Sequence, residues 1–327
     1  MSDAMVLRSL TKTFGEKVAV RDLDLVVPEG ALYGFIGPNG AGKTTSIRMM
    51  LSILYPDSGE VEILGRRSAQ EAKDRIGYLP EERGLYRRMK VRELLEYMAA
   101  LKGCEGAGLR KRVDEWLERV GLGAAAGKRC EELSKGMQQK VQVLAAMIHQ
   151  PDLLVLDEPF SGLDPVNQRL LRELVLEQHR RGATVLFSTH AMSHAEQLCD
   201  RIVMVHRGEK VLDDTLQGIR TRFDPHSLWF EPRRSEDDPA SLSALDWVRA
   251  VRRDGSVWEV VPREGVDLSA AFGLLSAAMP PARIELRRPT LEDVFIEIVA
   301  GTGADIGEQS QLRATVRDGV GETEAAS

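Results

Sequence analysis

Residues 37–45 read GPNGAGKTT: three glycines, one lysine and two threonines within nine residues, directly after the apolar run ALYGFI. Gly37 to Thr44 fits the pattern GxxxxGK[ST], in which backbone N–H groups and a following helix N-terminus bind phosphate oxygens. Pro38, Asn39, Gly40, Ala41 and Gly42 supply the turn. Lys43 then reaches the β- and γ-phosphates of a nucleotide, the Thr44 hydroxyl ligates Mg²⁺, and Thr45 hydrogen-bonds phosphate. A second stretch, LLVLDEP at 153–159, ends an apolar run in two acids. Acids at the C-terminal tip of a buried strand sit where open α/β sheets bind ligands. Asp157 is placed to hold Mg²⁺ through water, and Glu158 to polarise the water that attacks a phosphoryl group.

These residues need a scaffold. AMVLRSL and KVAVRDLDLVVPEG predict strands with a turn at Glu29-Gly30, and ALYGFI predicts a buried strand. The glycine loop leads from that strand into the helical pattern TTSIRMMLSIL, the context a phosphate loop requires. GEVEILG is a further strand. VRELLEYMAALKG, LRKRVDEWLERVGL and SKGMQQKVQVLAAMIHQ have helical spacing, the last stopped by Pro151. The helix LLRELVLEQHRRG, the strand ATVLFSTH and a hairpin around Arg207-Gly208 complete a strand–helix alternation that predicts a parallel sheet. The run from about 90 to 130 lacks strand signals and is expected to be a helical insertion. After about 218 the pattern changes to a small α+β region, with a hairpin at Asp254-Gly255 and a Thr290/Asp293 helix cap. Residues from about 301, rich in Gly, Glu, Ala, Thr and Ser, are expected to be a disordered acidic tail.

Bulk properties exclude several classes. At 327 residues the chain exceeds one ordinary core, and 43% hydrophobic with 29% charged is a soluble composition. A net charge of −6 gives no support for nucleic-acid binding, and none is expected. Cys104, Cys130 and Cys199 are scattered without metal or disulfide spacing. No stretch reaches the roughly 18–20 apolar residues that span a bilayer, and the N-terminus lacks a signal-peptide core. The protein is expected in the cytoplasm, reaching the cytoplasmic face of a membrane only through a partner.

Together with the phosphate loop and LLVLDEP, three further motifs occur in order: LSKGMQQK at 133–140, SGLD at 161–164 and FSTH at 187–190. In these motifs the chain resembles the nucleotide-binding subunit of an ABC transporter over roughly residues 5 to 215. The resemblance implies an α/β P-loop NTPase fold of the ABC-ATPase type with a helical insertion, plus the small α+β C-terminal domain. With the residue pattern it gives the expected bounds: an ATP-binding domain at 1–218 with a helical subdomain at about 88–150, an accessory domain at 219–300, and the compositionally read tail at 301–327. ATP and Mg²⁺ are the implied ligands. Two subunits would sandwich two ATPs head to tail, with Ser134 and Gly136 of one facing the phosphate loop of the other and Asp164 in the loop between them. His190 would contact the γ-phosphate and hold the attacking water with Glu158, and Phe14 in KTFGEK matches the aromatic that stacks on adenine.

Two departures stand out. Glu81 occupies a position where the family usually has Gln; it can approach Mg²⁺ or its waters but cannot donate as an amide does. Lys135 and Met137 replace the usual Gly and Gln of the signature, while Ser134 and Gly136 are kept. With one phosphate loop and one signature the chain cannot close a site alone, so a homodimer or close heterodimer follows, with an integral membrane permease as further partner. The ending RRPTLEDVFIEIV resembles the accessory domain of ATPases serving ABC-2-type exporters. The alternatives are an importer ATPase, or a soluble ABC ATPase acting on ribosomes or nucleic acid. The latter class carries long coiled coils, zinc modules or paired ATPase units, whose signatures this sequence lacks.

Overall fold

In the computed structural model, residues 2–82, 84–223, 227–234, 237–263 and 265–300 are described; the expected acidic tail lies outside them. In chain order the elements are β1 (Asp3–Phe14), β2 (Lys17–Pro28), β3 (Leu32–Ile36), α1 (Lys43–Met50), β4 (Ser58–Ile63), β5 (Ile76–Leu79), α2 (Val91–Ala100), α3 (Ala107–Arg119), α4 (Lys135–Met147), β6 (Leu153–Asp157), α5 (Pro165–Arg180), β7 (Thr184–Thr189), α6 (Met192–Leu198), β8 (Arg201–His206) and β9 (Glu209–Thr215). There follow α7 (Leu216–Arg222), β10 (Ser227–Pro232), α8 (Pro239–Ser243), β11 (Val248–Asp254), β12 (Val257–Pro262), α9 (Leu268–Ala278), β13 (Pro281–Arg287) and α10 (Leu291–Ala300). They fall into two compact units, one running to Leu216 and taking in the chain from Phe295, the other Gln217–Val294.

The first unit is built on a six-stranded sheet of order β5-β6-β7-β3-β8-β9. Its strands β5 to β8 are parallel, and β9 returns antiparallel through the Arg207-Gly208 turn, where both residues have positive φ. Such a two-residue turn matches the twist of a hairpin. Strands β3, β6 and β7 are buried at every position, which is why LYGFI, LLVLD and TVLFST are near-continuous apolar runs. A separate antiparallel sheet, order β2-β1-β4, packs Leu7, Leu10, Leu23 and Leu25 into the same core as Tyr33, Phe35 and Ile47. Period-2 patterning marks these strands individually but says nothing of which sheet they join, so this second sheet is a finding of the structure.

Helix α1 is shorter than its apolar pattern. It stops at Met50 because Ser52 takes a left-handed φ of 55°, its N–H bonding the Met49 carbonyl while the Ile53 N–H bonds that of Arg48. That pairing satisfies the last helical carbonyls and turns LSIL out of the helix. Between β5 and β6 the chain is helical, with α2 packing on α3 and α4.

In the second unit β10-α8-β11-β12-α9-β13 gives an antiparallel sheet of order β11-β12-β10-β13. This is a β-α-β-β-α-β arrangement of the ferredoxin-like kind. Leu228, Phe230, Trp258 and Val260 from the sheet bury against Leu242 and Leu275 of its helices. The β11–β12 turn is Gly255-Ser256, one residue later than the sequence pattern suggests. Thr290 and Asp293 cap α10 reciprocally, each backbone N–H reaching the other's side chain at 3.1 and 3.2 Å.

Candidate functional site

Of the residues singled out by their chemistry, the phosphate loop with Lys43 and Thr44, Asp157, Glu158 and His190 gather beyond the C-terminal ends of β3, β6 and β7. The loop after β3 is held by two neighbours and by one bond of its own. Gly37 N–H donates to the Thr189 carbonyl at 3.3 Å, Gly208 N–H donates to Ala41, and Ala41 N–H closes a turn onto Pro38 across Asn39 and Gly40. Two glycines are there by necessity. A Cβ on Gly37 would lie 2.3 Å from the Val205 carbonyl oxygen. Gly42 has φ 102°, and a Cβ on it would meet the Ala19 carbonyl at 2.5 Å. Lys43, Thr44 and Thr45 then open α1, whose first turn carries no acid and so leaves its N–H groups and positive dipole end for an anion.

Lys43 is only 6% exposed. Its Nζ donates to Gly37 O at 2.8 Å and Pro38 O at 3.2 Å, and lies 3.4 Å from Glu158 Oε1. Glu158, 8% exposed at φ 47°, also bonds His190 Nδ1 at 2.9 Å. A left-handed φ at a non-glycine residue is strained and persists where surrounding structure dictates it. Here the backbone N–H of Glu158 is fixed by Ser188 Oγ at 3.1 Å, and the same hydroxyl donates to Asp157 Oδ1. One buried serine thus orients both acids.

The two acids diverge electrically. Burial pushes the Asp157 carboxyl up, and the hydrogen bond from Ser188 offsets this only in part. Burial acts on Glu158 the same way, but the His190 bond and the Lys43 charge outweigh it and hold the carboxylate below its ordinary range. Environments that push neighbouring carboxyls apart separate their roles: Glu158 stays an ionised acceptor at neutral pH.

Asp157 Oδ2 is buried without a hydrogen-bond partner. A buried carboxylate oxygen in that state calls for a cation. Nearby are the Thr44 hydroxyl and, 3.4 Å from it, Glu81 Oε2. These hard oxygens fit Mg²⁺, which takes few protein ligands and completes its shell with water and substrate phosphates. No group of three or more His, Cys, Asp or Glu among the described residues could hold a metal ion. Arg48 of α1 reaches Glu82 at 3.5 Å, tying the Glu81 segment to the helix. Burial, aided by the Asp157 charge, pushes the Tyr78 hydroxyl up to about 12, so it stays protonated beside these acids.

Ser134 and Gly136 lie at the start of α4. Ser134 Oγ accepts from the Met137 N–H at 3.3 Å, and a Cβ on Gly136 would stand 3.5 Å from Asn167 Nδ2. Asp164 caps α5, its Oδ1 accepting from the Asn167 N–H at 2.9 Å. Asn167 therefore lies between Gly136 of the signature and Asp164 of the SGLD loop. Phe14 is 51% exposed at the end of β1, with Lys12 Nζ 5.7 Å from its ring centroid. It sits on the hairpin whose Ala19 carbonyl abuts Gly42.

Sequence reasoning missed Ser188 and the Lys43–Glu158 pair. Ser188 had a signal, a hydroxyl within the apolar run VLFS; the pair had none, because its members are 115 positions apart.

The ABC transporter family model matches residues 20–161. The chain is 41% identical to an uncharacterised ABC transporter ATP-binding protein of Bacillus subtilis, over 90% of this chain and 98% of that one. It is 32% identical to the bacitracin transport ATP-binding protein of Bacillus licheniformis, over 92% and 99%. Among solved structures it resembles an ATP-binding cassette captured as a dimer in a post-hydrolysis state with ADP and Pi, at 26% identity and TM-score 0.60, over 65% of this chain and 98% of that one. The chain belongs to the ATP-binding proteins of ABC transporters. It is an ATPase of that family, binding nucleotide and serving as motor in a transporter. No helix of the described residues is long and apolar enough to cross a membrane.

Proposed function

We propose that this chain powers an exporter, hydrolysing Mg·ATP at a head-to-tail interface between two such subunits on the cytoplasmic face of the membrane, docked on a separate permease. The observation that carries the chemistry is the buried Lys43–Glu158–His190 cluster, with Glu158 held ionised. In this reading the phosphate loop and Lys43 bind the β- and γ-phosphates, and Lys43 exchanges Glu158 for phosphate oxygens. Glu158 takes a proton from the attacking water. His190 keeps the Glu158 carboxylate aimed and contacts the γ-phosphate. Thr44, Asp157 and Glu81 would hold Mg²⁺, which neutralises phosphate charge when bound. Ser134, Gly136 and Asp164 would face the partner's nucleotide, and Phe14 the adenine.

Export is favoured by the accessory domain proposed at residues 219–300, beyond an ATP-binding domain at 1–218. The bacitracin transport relative aligns nearly end to end, a span that includes this region. The test is a pull-down of the Glu158→Gln chain from detergent-solubilised native membranes in Mg·ATP, with co-eluting proteins identified by mass. A multi-span membrane protein of exporter type is expected. An importer permease with a binding protein, or ribosomal proteins without any membrane protein, would overturn the proposal.

A further inference from the structure

Glu158 and His190 come from different strands, and their 2.9 Å contact has to be held from behind. Phe160 follows Glu158 by two residues and is 5% exposed. Its ring packs edge-on against Phe187, centroids 5.8 Å apart, and against the tilted ring of His194 at 4.8 Å. Phe187 precedes His190 by three residues and His194 follows it by four. The one aromatic carried by the Glu158 segment is therefore gripped between two rings that flank His190. Edge and tilted ring contacts have a preferred geometry, so such a grip fixes orientation as well as distance.

The Nδ1 of His194 is buried without a hydrogen-bond partner, so the ring meets the Glu158 segment through its packing on Phe160. Burial together with Arg172 and His190 holds its pKa below the ordinary histidine range, against the opposing charge of Glu158, so the ring is neutral at physiological pH. A neutral ring packs on Phe160 without placing a cation beside His190.

We propose that His194 is a positioning residue for hydrolysis: through Phe160 its ring holds the Glu158 carboxylate in register with His190. This rests on the roles proposed above for Glu158 and His190. Removing the ring lets the Glu158 segment shift, and small misplacements of a catalytic group are costly in rate. Nucleotide binding, made by the loop after β3, is untouched.

The test is steady-state ATPase kinetics of the purified full chain as wild type, His194→Ala, His194→Phe and Glu158→Gln, with melting temperatures recorded for each. The expected result for His194→Ala is a kcat lower on the order of tenfold to a hundredfold, with KM for ATP within about twofold. His194→Phe keeps a ring on Phe160 and is expected to recover most of the rate. A His194→Ala kcat near wild type overturns the proposal, as does a KM that moves with it. A folded His194→Phe no faster than His194→Ala also overturns it. Should Glu158→Gln turn over at the wild-type rate, the parent reading fails and the brace falls with it; a dead Glu158→Gln beside an unaffected His194→Ala defeats the brace alone.

Discussion

Replacing Glu158 with Gln tests the chemistry with little change of shape. The amide keeps the side-chain volume and can still hydrogen-bond His190, so no cavity opens at this 8%-exposed position. What is lost is the charge. A positioned general base contributes about 10²- to 10⁴-fold, or roughly 3–5.5 kcal/mol of barrier. Weakening the His190 contact from a charged to a neutral hydrogen bond changes its worth by only about 1–2 kcal/mol. The base term therefore decides the outcome, and turnover should fall by at least about a hundredfold. ATP affinity should be kept or rise, because Lys43 retains Gly37 O and Pro38 O but is released from the carboxylate 3.4 Å away. Phosphate release at saturating Mg·ATP measures the first quantity and equilibrium nucleotide binding the second. Turnover within a few-fold of wild type would refute the base assignment. A loss of affinity matching the loss of rate would make Glu158 a binding residue instead. The double variant with His190→Ala should be little slower than Glu158→Gln alone, since groups acting as one unit are not additive.

Other outcomes follow from the same geometry. Gly42→Ala must leave the φ of 102° or push the Ala19 carbonyl away from a Cβ 2.5 Å from it; left-handed strain of about 1–2 kcal/mol plus the displaced loop should lower ATP affinity at least about tenfold by calorimetry. His149 is 7% exposed, with burial as the main cause of a pKa pushed down to about 4. The unfolded chain takes up this proton below about pH 6.5 and the folded chain does not, so stability is full above pH 6.5 and declines as pH falls towards 4, by on the order of 2–3 kcal/mol at pH 4.5. Urea unfolding of wild type and His149→Leu at pH 7 and 4.5 should show that acid loss in the former and its absence in the latter.

Much of the chemistry was legible because it is local. A phosphate loop is made by backbone N–H groups within nine consecutive residues, so GPNGAGKTT carries its own geometry. LLVLDEP is legible for a similar reason: continuous burial of a parallel strand forces an apolar run, and acids can appear only where it ends. The N-terminal cap of α10 at Thr290 and Asp293 is equally short-range, spanning one helical turn.

What the sequence by itself determined is therefore this set of short units: the loop, the strand-end acids, the helix caps and the order of strands and helices. The tertiary structure alone decided which of them meet. Strand order β5-β6-β7-β3-β8-β9 lays β7 between β6 and β3 and so brings His190 to 2.9 Å and Lys43 to 3.4 Å from Glu158, joining residues 147 positions apart in the chain. It also sets Ser188 under both acids, wedges Phe160 between Phe187 and His194, and divides the N-terminal strands into a sheet of their own. A period of two or 3.6 tells each segment which face to bury, but every buried face is chemically alike. Only packing, where each apolar surface must find a partner of matching shape, chooses among the pairings.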